Sequence, residues 1–413
     1  MEAKQRRAGC IAAGDFPTRV PRHFGKSNYP MVSRMMPMSD YFKSKVFGPL
    51  SEGKIDKAYL GYRQLQQINA TPQWDVYQPD PLKEDAKNFL KAFRLEVSRE
   101  TKKAQAEVLQ RERDIALKRI EEFVDDQMSS SCKAFPLINP YRYAIDLALR
   151  VRRPRIIDQR ETALCGPVAI MCAFFKTDPK AATEFALSLV ENGSGDLRQY
   201  KIDSPDHLKN KRPPDRFKMA PVDWLLLTSL RYHFEPLAAM LGRLTSKESV
   251  DSLRQLTKPG LLTALLREMG YKEVVDRTFG FETFPAVAKI ADALTRYPLH
   301  GSSGTLRGKA NLDRAELDLD RGMLVFLLAY GDMEGEAKVR RKSRSFPKVD
   351  KELTPSYDDM GFPVLHWTLV RKLTVAAGYV SIRIYSYGRA REATFPLEQF
   401  LKIYFGYVMA NPF

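Results

Sequence analysis

The chain has 413 residues, 44% hydrophobic and 28% charged, with a formal net charge of +16 and a pI near 9.5. This composition excludes a disordered or fibrous chain, and the length admits two or three domains or one large enzyme with an extension. The basic excess favours acidic partners, but it is scattered along the chain and no module interleaves basic with aromatic residues, which argues against nucleic acid.

Four cysteines, Cys10, Cys132, Cys165 and Cys172, show neither paired metal spacing nor a dense disulfide framework, which fits a reducing compartment. Cys165 and Cys172 would share a helix face but have no histidine beside them, so neither a metal nor a cofactor is expected. There is no run of 18 apolar residues, and the N-terminal MEAKQRRAGCIAAGDFP has no apolar h-region. The expectation is a protein without a transmembrane segment, cytoplasmic as synthesised, whose secretion would need a route that reads no cleavable signal.

Residues 1–80 are rich in Pro, Gly, Tyr and Met, with Met31, Met35, Met36 and Met38 clustered and no sustained period. They read as an irregular or partner-dependent region. Residues 81–130 carry Phe89, Leu90, Phe93, Val97, Ala104, Val108, Ile115, Ile120 and Phe123 at spacings mostly of three and four. That pattern predicts a long amphipathic helix or helical hairpin, either packed along a domain or projecting as a coiled-coil arm.

Residues 131–413 differ in composition. The basic run from Arg150 to Arg155 reads as a solvated face. Helical patterns dominate from Pro179 to about Thr295, with Asp178 as N-cap, Pro179 at the first helical position and Gly193 as the stop. An insertion spans about 196–310; within it Asp223 reads as capping or pairing locally at a helix start. His207, His233 and His300 read as ordinary surface or half-buried residues. From Arg321 the period turns to two: Met323–Tyr330, Val364–Leu373 and Tyr379–Tyr387 are strands, with a charged loop at 334–359. The fold class is α+β, helices first and an antiparallel sheet last.

The stretch DQRETALCGPVAIMCAFF, Asp158 to Phe175, passes from polar to apolar at Cys165-Gly166-Pro167. A helix N-terminus favours a thiolate, because unpaired backbone N–H groups and the helix dipole attract negative charge. Gly166 permits close approach, and Pro167 is tolerated in a first turn. A thiolate needs a proton partner, and of the five histidines His366, on the strand Val364–Val370, is the best placed. It is otherwise a satisfied core residue. Gln159, six residues before Cys165, can supply an oxyanion donor together with the Cys165 backbone N–H.

Gln159, Cys165-Gly166-Pro167 with an apolar helix behind, the His366 strand and the turn at Tyr385–Gly388 resemble the papain-like cysteine peptidase superfamily, especially its bacterial branches with a Cys-Gly-Pro nucleophile turn. The resemblance implies a central nucleophile helix packed on an antiparallel sheet over 131–413, with a mostly helical N-terminal extension. It implies Gln159 as oxyanion donor, Cys165 as nucleophile and His366 as general base and acid. Where the superfamily has Asn or Asp to orient the histidine, this chain has Ser386, which shares the parity of Ile382 and Ile384; Asp358 or Asp359 is the other candidate.

The expected function is cysteine-dependent acyl transfer on a protein or peptide substrate: peptidase, deamidase or transglutaminase. The architecture resembles bacterial effector or toxin enzymes, whose partners would include an acidic protein or a delivery or immunity protein. The competing expectation is a non-catalytic papain-like scaffold that grips an acidic partner.

Overall fold

The computed structural model describes residues 83–97, 104–127, 129, 131–159, 164–211, 219–233, 257–279, 302–331, 333, 338–339, 346, 348–349, 353, 365–386 and 388–412. Residues 1–80 with Cys10 and the methionine cluster, His300, Asp358, Asp359 and most of the 334–359 loop lie outside the described residues.

Helices α1 (Lys83–Val97) and α2 (Ala104–Asp126) form a hairpin. Part of the stripe of threes and fours turns inward: Phe89 and Phe93 stack at 5.4 Å, and Ile120 and Phe123 are buried, whereas Val108 and Ile115, which the spacing also put on this face, stay exposed. The hairpin does not project as an arm, because α1 packs on α3 (Pro140–Arg152) and α2 packs on both α3 and α5 (Pro179–Asn192). Asn139 caps α3 by accepting the Arg142 N–H at 2.9 Å, with Pro140 at the first helical position. A 3-10 turn, Pro154–Ile156, follows.

Helix α4 (Cys165–Thr177) is buried continuously from Cys165 to Phe175, which its apolar sequence demands. Asp178 caps α5 through the Ala181 N–H at 2.9 Å, and Gly193 ends it at φ 76°. The segment beyond is less helical than its sequence suggests. A hairpin of β1 (Ser194–Leu197) and β2 (Tyr200–Asp203) comes first, then α6 (Asp206–Lys209), α7 (Pro221–His233) and α8 (Pro259–Glu268). Strand β3 (Lys272–Thr278) follows, where the sequence read as helical; its residues KEVVDRT hold one buried position among charged ones.

Helix α9 (Ser302–Asp320) leads into β4 (Leu324–Tyr330), β5 (Lys338–Val339), β6 (Leu365–Ala376), β7 (Tyr379–Ser386) and β8 (Arg389–Pro396). Helix α10 (Leu397–Ile403) and β9 (Tyr404–Asn411) complete the described chain. Seven strands form one antiparallel sheet in the order β3-β9-β4-β6-β7-β8-β5. The three strands expected from the sequence are β4, β6 and β7.

Burial follows the covering of the faces. All seven residues of β4, LVFLLAY, are buried, because helices pack on both sides of the middle of the sheet. The first six residues of β6 are buried on both faces, the rest of it is half-buried or exposed apart from Leu373, and β7 alternates. Fold class is thus mixed helix and antiparallel sheet. A single hydrophobic cluster runs from Ala86 in α1 to Ala410 in β9, so the change in composition at residue 130 is not a boundary between cores.

Candidate active site

Cys165 opens α4. Its helix is preceded by Leu164, which offers no side-chain cap, so the first-turn N–H groups face outward from the helix with the positive end of the dipole. Gly166 is required by space: a Cβ there would lie 2.3 Å from Thr257 Oγ1. Thr257 also accepts, through its carbonyl, the indole N–H of Trp367 in β6 at 2.6 Å. At the other end of the helix the Arg371 guanidinium of β6 acts on Lys176, whose ammonium burial pulls down to about 7 with Arg371 adding to it. Helix α4 and strand β6 therefore run side by side in the same sense, with Cys165 at the end of the pair where β6 carries His366.

His366 is buried, and its Nε2 stands 3.4 Å from Ser386 Oγ on β7. The register explains the contact. Leu369 pairs with Tyr385 and Val370 with Ile384, so His366, Thr368 and Ser386 fall on one face of the sheet. It is the face on which Tyr407 of β9, in line with Leu327 and Thr368, donates its hydroxyl to Asp318 of α9 at 2.7 Å. Trp367, one residue from His366, falls on the opposite face and turns to Thr257.

The Gln159 segment is brought to the same end. Gly388, just past Ser386, has φ 67°, and a Cβ on it would lie 2.9 Å from Asp158 Oδ2. The Asp158 N–H donates to Asp223 Oδ2 at 3.1 Å, so residues 157–159 are held between α7 and the β7–β8 turn, with Gln159 buried. A small apolar recess nearby is lined by Pro167, Ile170, Thr257, Leu262 and Leu265, with Arg231 at its side.

Two readings of charged residues are corrected here. Arg150 is not part of a solvated face: it is 3% exposed and grips Asp223 with Nε at 2.9 Å and Nη2 at 2.6 Å, while Nη1 meets Asp146 Oδ1 at 3.3 Å. Asp223 accordingly pairs across 73 residues and not locally. Its carboxyl is raised above the usual carboxylate range, because burial outweighs the two bonds to Arg150 and the nearby Asp158 adds to the rise. The clue in the sequence is an Asp and an Arg four apart inside the apolar run Tyr143–Val151.

No disulfide joins Cys132, Cys165 and Cys172. Burial pushes the Cys132 thiol up to about 12 and the Cys172 thiol further still; Cys172 Sγ also contacts the Pro154 carbonyl at 3.2 Å. His233 Nε2 bonds Tyr200 OH at 2.8 Å, and His207 packs edge-on to Tyr232. Both stay far from β6 in role, serving the β1–β2 and α6–α7 packing.

Among the described residues no group of three or more His, Cys, Asp or Glu side chains converges where a metal ion could sit, and no helix is long and apolar enough to cross a membrane. No family model matches the chain, and neither a curated protein nor a solved structure matches it, so the residues themselves carry the functional argument.

Proposed function

We propose that the protein is a papain-like, cysteine-dependent acyl-transfer enzyme acting on a protein or peptide amide. The observation that carries the reading is the pairing of His366 Nε2 with Ser386 Oγ at the end of β6 that accompanies the first turn of α4, where Cys165 stands. In this reading Nε2, 3.4 Å from Ser386 Oγ, is the oriented nitrogen, and Nδ1 is the one that exchanges a proton with the thiol. The Cys165 thiolate attacks the amide carbonyl carbon, and the oxyanion is held by the Gln159 side-chain amide and the Cys165 N–H. His366 passes the thiol's proton to the leaving nitrogen, the C–N bond breaks and a thioester forms. Water or an amine, giving its proton back to His366, resolves the thioester.

A second reading, a non-catalytic scaffold, is favoured by one observation: alternation along β6 turns Trp367, not His366, toward Thr257 and the first turn of α4.

Iodoacetamide alkylation of the full chain, followed by peptide mass spectrometry across pH in wild type and His366→Ala, separates the two. Cys132 and Cys172 serve as controls, since burial keeps both thiols protonated. The enzyme reading expects Cys165 to react below pH 7 at least about tenfold faster than either control, and to lose that lead without His366. Equal, slow alkylation at all three cysteines, unchanged in His366→Ala, would establish the scaffold.

A further inference from the structure

We infer that Thr368 is a positioning residue for His366, acting through Ser386 to decide which imidazole nitrogen carries the proton; the inference rests on the acyl-transfer reading for its purpose but not for its test. Thr368 is 0% exposed, and its Oγ1 has no hydrogen-bond partner among the described residues. A buried hydroxyl left unpaired is expensive, so the polar groups within its reach matter.

Alternation along β6 places Thr368 on the His366 face. One step on from the Leu369–Tyr385 pair, the register brings Thr368 opposite Ser386. Cross-strand Thr and Ser side chains bond readily from such positions, and this sheet already does so once: Ser381 and Thr394, paired in register between β7 and β8, bond hydroxyl to hydroxyl at 2.9 Å. In the structure Thr368 Oγ1 does not bond Ser386, so the same contact requires Thr368 to take another staggered χ1.

The consequence is chemical. Ser386 has one hydrogen to give. When its O–H donates to Thr368 Oγ1, the Ser386 oxygen that faces His366 can only accept, so the hydrogen sits on Nε2 and Nδ1 keeps its lone pair. Without Thr368, the Ser386 hydrogen turns to Nε2 and drives the imidazole to the opposite tautomer, in which Nδ1–H cannot take a proton from a thiol. A serine thereby acquires the one-way character that an asparagine or aspartate oxygen has by nature.

The test is the tautomer itself. The full chain, labelled with 15N at its five histidines, is examined by long-range 1H–15N correlation at about pH 8.5, where an ordinary imidazole is neutral. His366 is assigned by substituting the other four in turn. Wild type is expected to show the Nε2–H form, and Thr368→Val, which keeps the shape and removes the hydroxyl, is expected to shift the ratio toward Nδ1–H by about fivefold to tenfold, the worth of one neutral hydrogen bond. Thr368→Ser should restore it. The same tautomer ratio in Thr368→Val as in wild type, or Nδ1–H in wild type, would overturn the inference. If the ratio shifts as stated while Cys165 alkylation ignores His366, the relay stands and the acyl-transfer reading falls; the reverse pair of results sinks only the relay.

Discussion

Replacing Arg150 by Met should destabilise the protein more than any other single change in the helical layer. The guanidinium holds Asp223 by two bonds, at 2.9 and 2.6 Å, and Asp146 by one at 3.3 Å, with the arginine and both acids buried. Methionine fills most of the space but takes the guanidinium away from two buried carboxylates. Removing one member of a buried ion pair costs about 3–5 kcal/mol, which for a chain of this size lowers Tm by about 3–6 °C. The loss carries a pH signature. Asp223 already sits above its unfolded value because burial outweighs Arg150, and without Arg150 it rises further. A carboxyl raised in the folded state binds protons more readily than when unfolded, so stability falls as pH rises past the unfolded value of about 3.9 and recovers as pH is lowered toward it. Urea unfolding of Arg150→Met at pH 7 and at about pH 4.5 should therefore show a large deficit that shrinks in acid. Exchanging all three groups for apolar ones, Asp146→Leu, Arg150→Met and Asp223→Leu together, should recover much of the stability. A deficit under about 1 kcal/mol at pH 7, or one that does not shrink in acid, refutes the buried arrangement.

Gly166→Ala should lose about 1–3 kcal/mol in urea unfolding although alanine is ordinarily the better helix residue, because the new methyl meets the stiff β-branched Thr257 at 2.3 Å; a stabilised variant would show that Thr257 gives way freely. Lys176, pulled down to about 7 by burial and Arg371, is held more weakly protonated than in the unfolded chain, so its contribution makes stability climb as pH rises from about 7 to about 10. Lys176→Met should flatten that slope and gain about 1–2 kcal/mol at pH 7, a figure discounted for the partial exposure of the residue; an unchanged slope in thermal scans from pH 7 to 10 would count against it.

What could be read from the sequence is what repeats locally. Strands β4, β6 and β7 are written as continuous or alternating apolar residues, and the same alternation, counted from Ile382 and Ile384, suffices to put Ser386 on the face where it meets His366. Asp178, Pro179 and Gly193 mark the ends of α5 by their own chemistry. Arg150 was misread because charge along the chain does not reveal a partner 73 residues away, and β3 because an edge strand with one buried residue has no apolar face to announce it. Thr257 was invisible because its importance comes from what two distant segments, Gly166 and Trp367, ask of it. The stretch 157–159 was legible as polar chain, yet its anchoring to α7 and to Gly388 is tertiary.

The shared core of the α1–α2 hairpin sets a limit on dissecting this molecule. A fragment begun at residue 131, the natural cut by composition, would strip Phe89, Phe93, Ile120 and Phe123 from α3 and α5 and leave those two helices with a wide apolar wall in water. Such a fragment would be lost to aggregation, and its inactivity would say nothing of Cys165. Any trimmed version meant to retain the Cys165–His366 end intact has to start before Lys83.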